Sequence, residues 1–123
     1  MSQSSVLVVE DDESLREMIE WVLSEEGYSV ATAADGVAAL DFVQRERPHL
    51  ILLDMRMPVL DGWGFAQAYR QLPVPHAPIL VVTAARDAAS RSAEVDAAGF
   101  LAKPFQVEEL TRLIKLHWDD QVE

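Results

Sequence analysis

The chain has no cysteine, which excludes disulfides and thiolate chemistry. It has no apolar run long enough to span a bilayer as a helix. The opening residues Met1-Ser2-Gln3-Ser4-Ser5 carry neither a basic segment nor a long apolar stretch, which argues against a secretory signal. Cations are scarce: 10 Lys and Arg face 21 Asp and Glu, for a net charge of -11. No basic run stands out, so direct binding to nucleic acid or to an anionic membrane is not expected. Internal repeats and low-complexity segments are also lacking. What is present is 123 residues, half of them apolar, enough for one domain with one core. A soluble cytoplasmic protein is the expectation.

The most informative stretch is Leu50-Ile51-Leu52-Leu53-Asp54-Met55-Arg56-Met57-Pro58. Four apolar residues in a row read as a strand buried on both faces. The strand ends at a carboxylate, where open α/β sheets place their chemistry. Pro58 stiffens the following loop, and Gly62 permits a backbone angle other residues avoid. Val6–Val9 is a similar run ending in Glu10-Asp11-Asp12-Glu13. The acids allow two roles at once: capping of the next helix by Asp11 or Asp12, and a cation site at the strand mouth.

Strand and helix patterns then alternate. Leu15, Met18, Ile19 and Val22 recur at helical spacing, and Gly27 closes that helix. Tyr28–Thr32 alternates like an edge strand with one wetter side. Asp35-Gly36 starts a helix with Val37, Ala39, Leu40 and Val43 as its apolar stripe, ended before Pro48. Asp61 caps a helix to about Arg70. Pro73, Pro75 and Pro78 make a stiff connector. Ile79–Val82 is a strand ending at Thr83, and Ala84–Ala97 is an alanine-rich helical stretch. Gly99–Ala102 is a fifth strand, followed by Lys103-Pro104-Phe105. A last helix with Val107, Leu110, Leu113 and Ile114 runs to about Trp118. Five strand–helix repeats predict a doubly wound parallel sheet between two helical layers, a flavodoxin-like three-layer α/β sandwich of order 2-1-3-4-5.

That order brings Glu10/Asp11, Asp54, Thr83 and Lys103 to one edge. Singly, each has a plain explanation as a cap, a turn residue or a surface lysine. Together they have one chemical logic. Three close carboxylates raise one another's pKa unless a cation neutralises them. Oxygen ligands with room for water suit Mg²⁺. A lysine, a hydroxyl and an acid cluster are what phosphoryl transfer needs, and a carboxylate can be the nucleophile.

With these pieces in order, the chain resembles the receiver domain of two-component response regulators. The matching parts are Val6–Asp11, Ala33-Ala34-Asp35-Gly36 with Ala39-Leu40, Asp54 with Met57-Pro58 and Asp61-Gly62, Ile79–Ala84, and Phe100–Phe105. The resemblance implies that Asp54 accepts a phosphoryl group from a phosphohistidine of a sensor kinase or phosphotransfer protein. It implies Mg²⁺ held by Asp11, by Glu10 largely through water, by Asp54 and by the Arg56 backbone carbonyl. It implies that Thr83, with Ala84 beside it, and Lys103 contact the phosphoryl group. Phe100 would change rotamer with Thr83, and Pro58, Gly62 and Pro104 would be structural, with Lys103–Pro104 cis. The expected chain is a single receiver domain over 1–123, with its core at about 5–118 and no output domain. It is expected to switch a surface for a downstream protein or output domain, not to turn over a metabolite. A phosphorylation-dependent dimer is compatible with that surface.

The resemblance has departures. The stretch from Thr83 to Lys103 is about two residues shorter than expected, so the fourth helix should be short or displaced. Asp96 stands where a glycine is usual, and Phe100 replaces a commoner tyrosine. Arg56 and Ala85 flank the site, where they could tune water access. Trp21 and Trp63 are read as packing or partly exposed residues, and His49, His76 and His117 as non-functional. Three alternatives are weighed against this reading. A dehalogenase-like phosphatase would want a second acid where Arg56 stands and a cap insertion. A flavodoxin-like cofactor binder would not suit the acidic mouth. A phosphorylation-independent interaction module would not need the acidic pair, Asp54, Thr83 and Lys103 intact.

Overall fold

The computed structural model describes residues 5–119. Three apolar runs form the middle of its sheet: β1 (Ser5–Val9), β3 (Leu50–Leu53) and β4 (Ile79–Ala84). β2 (Ser29–Ala33) and β5 (Gly99–Lys103) lie at the edges, and the order is β2-β1-β3-β4-β5, parallel throughout. Burial explains the composition. Every residue of β3 is buried, and β2 has only Ala33 buried.

Alternate residues feed two cores. Leu7, Val9, Ile51, Leu53 and Val81 face α2 (Gly36–Arg45), α3 (Gly62–Gln71) and α4 (Ala88–Glu94), meeting Ala39, Val43, Phe65, Tyr69 and Val95. Val6, Val8, Leu50, Leu52 and Val82 face α1 (Glu13–Glu25) and α5 (Val107–Asp119), meeting Ile19, Leu23, Leu110 and Ile114. The result is the three-layer α/β sandwich that the alternation of strands and helices predicts. Val37 is an exception to the expected stripe of α2. It is exposed, because it lies two residues from Ala39 and so on the far side of the helix.

The helix starts follow their caps. Asp12, Asp35 and Asp61 each accept a backbone N–H three residues on, from Leu15, Ala38 and Gly64 at 3.0, 2.8 and 2.9 Å. Gly27, with φ +97°, ends α1 in the conformation that costs glycine least.

The fourth helix is short, as the two missing residues lead one to expect, and it fills only part of the helical stretch read over Ala84–Ala97. β4 continues through Ala84, which pairs with Lys103. A 3-10 turn covers Ala85–Asp87, and α4 has only seven residues. Sheet pairing claims the first residue, and the left-handed Asp96 (φ +55°) stops the helix. An aspartate tolerates that conformation, which accounts for its standing in a glycine's usual place. Beyond the helix end expected at about Trp118, the acidic tail expected over 119–123 is corrected at its first residue, since α5 includes Asp119, and residues 120–123 lie outside the described residues.

Candidate functional site

At the carboxyl ends of β1, β3, β4 and β5 lies an open cavity of about 900 Å³. Glu10, Asp11, Asp54, Arg56, Thr83, Ala84, Lys103 and Pro104 all line it. Sheet topology brings them together. Backbone bonds from Glu10 N–H to Ala33 and from Asp54 N–H to Val9, both 3.0 Å, hold the two strand ends side by side.

Three carboxylates share one lysine here. Lys103 Nζ lies 2.9 Å from Glu10 Oε1 and 3.5 Å from Asp54 Oδ2. Glu10 also accepts the Asp12 N–H at 3.1 Å. Glu10 and Asp54 are buried, while Asp11 is exposed at the rim. Burial, then the charge of Glu10, pushes the Asp54 carboxyl from 3.8 up to about 7, against the pull of Lys103. Burial alone would lower the Lys103 ammonium. Its bond to Glu10 and the charges of Asp54 and Glu10 outweigh that, and its pKa is raised.

A metal ion fits this donor set. Carboxylate oxygens of Glu10, Asp11 and Asp54 all lie within 4.8 Å of one another. They are hard oxygen donors beside an open cavity, which suits Mg²⁺ better than a softer ion. Thr83, buried at the end of β4, lines the cavity. Phe100 lies 46% exposed on the edge strand. The Lys103–Pro104 peptide is cis.

Several contributors are not evident from the sequence. Arg16 donates to the Glu10 carbonyl at 2.9 Å and reaches that of Asp11 at 3.5 Å, pinning the acidic loop. An arginine one turn into an acid-capped helix is the only signal. The loop after Asp54 holds a second surprise. Leu60 N–H donates to the Pro58 carbonyl at 2.8 Å across Val59, whose φ is +71°. This is a γ-turn of the rare positive-φ kind, built on a β-branched residue that resists it. The turn swings Leu60 back against two glycines. A Cβ on Gly36 would meet the Leu60 oxygen at 2.5 Å, and one on Gly64 would collide with Leu60 Cδ1. Gly62 is needed for room and not for the unusual backbone angle expected of it: its φ is not positive, and a Cβ there would meet Met55 Sδ at 2.6 Å and the Asp54 oxygen at 2.8 Å.

The exposed side of the site carries a chain of ion pairs. Asp87 lies 3.9 Å from both Arg56 and Arg91. Arg91 Nη1 bonds both Glu94 oxygens at 3.1 Å, and its guanidinium sits 5.2 Å over the Trp63 ring. Trp63 Nε1 donates to Glu94 at 2.7 Å. Trp21 is exposed, and Trp118 packs at the far end of the sheet against Tyr28 and His49.

The chain is similar to known proteins in sequence and in fold. Residues 6–115 match the family model described as the response regulator receiver domain. The chain is 43% identical over 112 residues to the response regulator MprA of Mycobacterium leprae, covering 89% of this chain and 49% of that protein. It spans about half the length of the curated relatives it matches. Among solved structures, the chemotaxis response regulator CheY4 of Vibrio cholerae is 36% identical with a TM-score of 0.85, covering 94% of this chain and 99% of that one. The receiver domain of the sensor histidine kinase PA1611 from Pseudomonas aeruginosa PAO1 is 32% identical with a TM-score of 0.86, covering 96% and 99%. That structure has a magnesium ion coordinated in its active site cleft.

Proposed function

The chain belongs to the response regulator receiver domain family, and from that we propose that it is a phospho-accepting switch in phosphorelay signalling. Asp54 takes a phosphoryl group from a phosphohistidine of a sensor histidine kinase or histidine phosphotransfer protein. The observation that carries this reading is the buried Asp54 carboxylate, set between two other acids and one lysine at the mouth of a cavity.

The chemistry follows from those groups. An Asp54 oxygen forms a bond to phosphorus as the bond from phosphorus to the imidazole nitrogen breaks. The imidazole keeps that electron pair. Glu10, Asp11, Asp54 and the Arg56 carbonyl would hold Mg²⁺, which supplies charge neutralisation for the transferring group. Lys103 gives a fixed positive charge and Thr83 a hydroxyl donor for phosphoryl oxygens. Water hydrolyses the acyl phosphate, and the chain catalyses only its own phosphorylation and dephosphorylation, with no external metabolite turned over.

The modification adds a group of charge about -1.5 to -2 with strong acceptor oxygens. Moving a surface from mostly off to mostly on takes about 5.5 kcal/mol of differential interaction. Two or three charge-assisted hydrogen bonds at about 1.5–3 kcal/mol each cover that. Thr83 and Phe100 would carry the change to the β5 edge, where a downstream protein or output domain, or a second copy, reads it. We read residues 5–118 as one receiver unit working in the cytoplasm.

Intact mass after incubation with acetyl phosphate tests this. A phosphoryl adduct that requires Mg²⁺ and is lost in Asp54→Asn supports the reading. No adduct, together with no Mg²⁺-induced thermal shift, overturns it in favour of an interaction module.

A further inference from the structure

Asp87 occupies the N-cap position of α4, yet its side chain makes no capping bond. Aspartate at that position ordinarily accepts a backbone N–H. Here the carboxylate is spent on two guanidinium groups instead, Arg56 Nη2 on one oxygen and Arg91 Nη2 on the other, each at 3.9 Å. The two arginines are unequally held. Arg91 has 23% of its side chain exposed and is tied to Glu94 and stacked on Trp63. Arg56 is 65% exposed, and Asp87 is its one ion-pair partner among the described residues. Arg56 also lines the cavity that contains Asp54, and its own N–H lies 3.4 Å from Asp54 Oδ1. It is therefore the arm free to move, with a foot at the acceptor and a hand on Asp87.

We propose that Asp87 parks Arg56 away from the acceptor carboxylate, that phosphorylation of Asp54 draws Arg56 onto the phosphoryl group, and that Asp87 thereby sets the lifetime of the acyl phosphate. The inference rests on the phospho-acceptor reading above. The driving force is charge. The phosphoryl group offers up to two negative charges and planar pairs of acceptor oxygens, and Asp87 offers one charge at the edge of contact distance. Hydrolysis forms a bond from a water oxygen to phosphorus and breaks the bond from phosphorus to Asp54. It leaves the carboxylate and inorganic phosphate, with the water proton passing to phosphate. A guanidinium laid over the phosphoryl oxygens obstructs the approach of that water. When Arg56 leaves, Asp87 is left to Arg91 alone, so the change reaches Glu94 and the Trp63 ring.

The test is the adduct lifetime by intact mass in Mg²⁺ after acetyl phosphate is removed. Asp87→Asn frees Arg56 and should lengthen the lifetime about two- to fivefold, the range one partly exposed ion pair can supply. Arg56→Ala should shorten it, Arg56→Lys should restore part of it, and the double variant should match Arg56→Ala. A merely structural role of Asp87 in α4 would change the lifetime by the same factor with and without Arg56, and that result overturns the proposal. So does an unchanged lifetime in Asp87→Asn. A second arm leaves Asp87 intact: Mg²⁺ with beryllofluoride, a phosphoryl mimic, should alter tryptophan emission in the wild type. The alteration should be lost in Trp63→Phe and in Arg56→Ala, and no alteration in the wild type overturns the route to Trp63. Absence of any adduct in the wild type overturns the phospho-acceptor reading and this one together. An adduct with indifferent lifetimes overturns this one alone.

Discussion

Asp54→Asn should stabilise the metal-free chain, and the gain should depend on pH. The substitution keeps the shape of the side chain and removes its charge. In the fold, burial and the neighbouring Glu10 raise the Asp54 pKa from 3.8 to about 7. The folded protein therefore binds this proton more tightly than the unfolded chain does. That contribution to stability is fully present below about pH 4 and is lost as pH rises through about 7. The shift corresponds to about 4 kcal/mol at pH 8. Asparagine has no proton to lose and escapes the penalty. Urea unfolding in EDTA should thus find the two proteins equal at pH 4 and the variant more stable by about 3–4 kcal/mol at pH 8. In a domain of this size that is roughly 10–15 °C in Tm. Saturating Mg²⁺ should narrow the gap by stabilising the wild type, whose third carboxylate it neutralises. Equal stability at pH 8 in EDTA, or a gap that persists on acidification, refutes the electrostatic account of the site.

Three further outcomes follow from the same geometry. Mg²⁺ binding requires Asp54 without its proton, so apparent affinity should rise about tenfold per pH unit below 7 and level off above it. Calorimetry in two buffers of different ionisation heat, at pH 6, should detect about one proton released. Val59→Gly relieves a left-handed β-branched residue that is 79% exposed, and should raise stability by about 0.5–1 kcal/mol after the entropy cost of glycine. A loss in urea unfolding would show that the valine is not strained. Gly62→Ala drives a methyl into Met55 and the Asp54 carbonyl. It should cost about 2–3 kcal/mol and weaken Mg²⁺ binding by moving the acceptor loop, both measurable on one sample by chemical and metal titration.

Much of this molecule can be read from its sequence because its central strands are buried on both faces. β1, β3 and β4 leave apolar runs with no competing periodicity, and each ends at a polar residue the sheet brings to one mouth. The helix caps Asp12, Asp35 and Asp61 are legible for a local reason, since the bond each makes spans only three residues. The stretch after Thr83 is legible only in its shortness; where its helix begins is not, because alanines suit a helix while the parallel neighbour Lys103 recruits Ala84 into the sheet. The Trp63–Glu94 bond joins residues 31 apart, and only the fold, which brings the start of α3 within side-chain reach of the end of α4, creates it. Nothing in the composition around Val59 marks a positive φ. That angle is imposed from outside, by where Leu60 has to go.

The seating of Leu60 places a constraint on how this protein can vary or be rebuilt. Leu60 fills the space vacated by two absent methyl groups, with its backbone oxygen and Cβ at the first residue of α2 and with its side-chain tip in the first turn of α3. Positions 60 and 64 form a single unit of substitution, and position 36 has to stay glycine whatever side chain stands at 60, although the three lie on separate segments. A loop grafted into residues 55–61 from another protein would carry its own residue to position 60, but not the matching glycines. Libraries that randomise this loop should therefore hold Leu60, or vary positions 60 and 64 together while keeping Gly36.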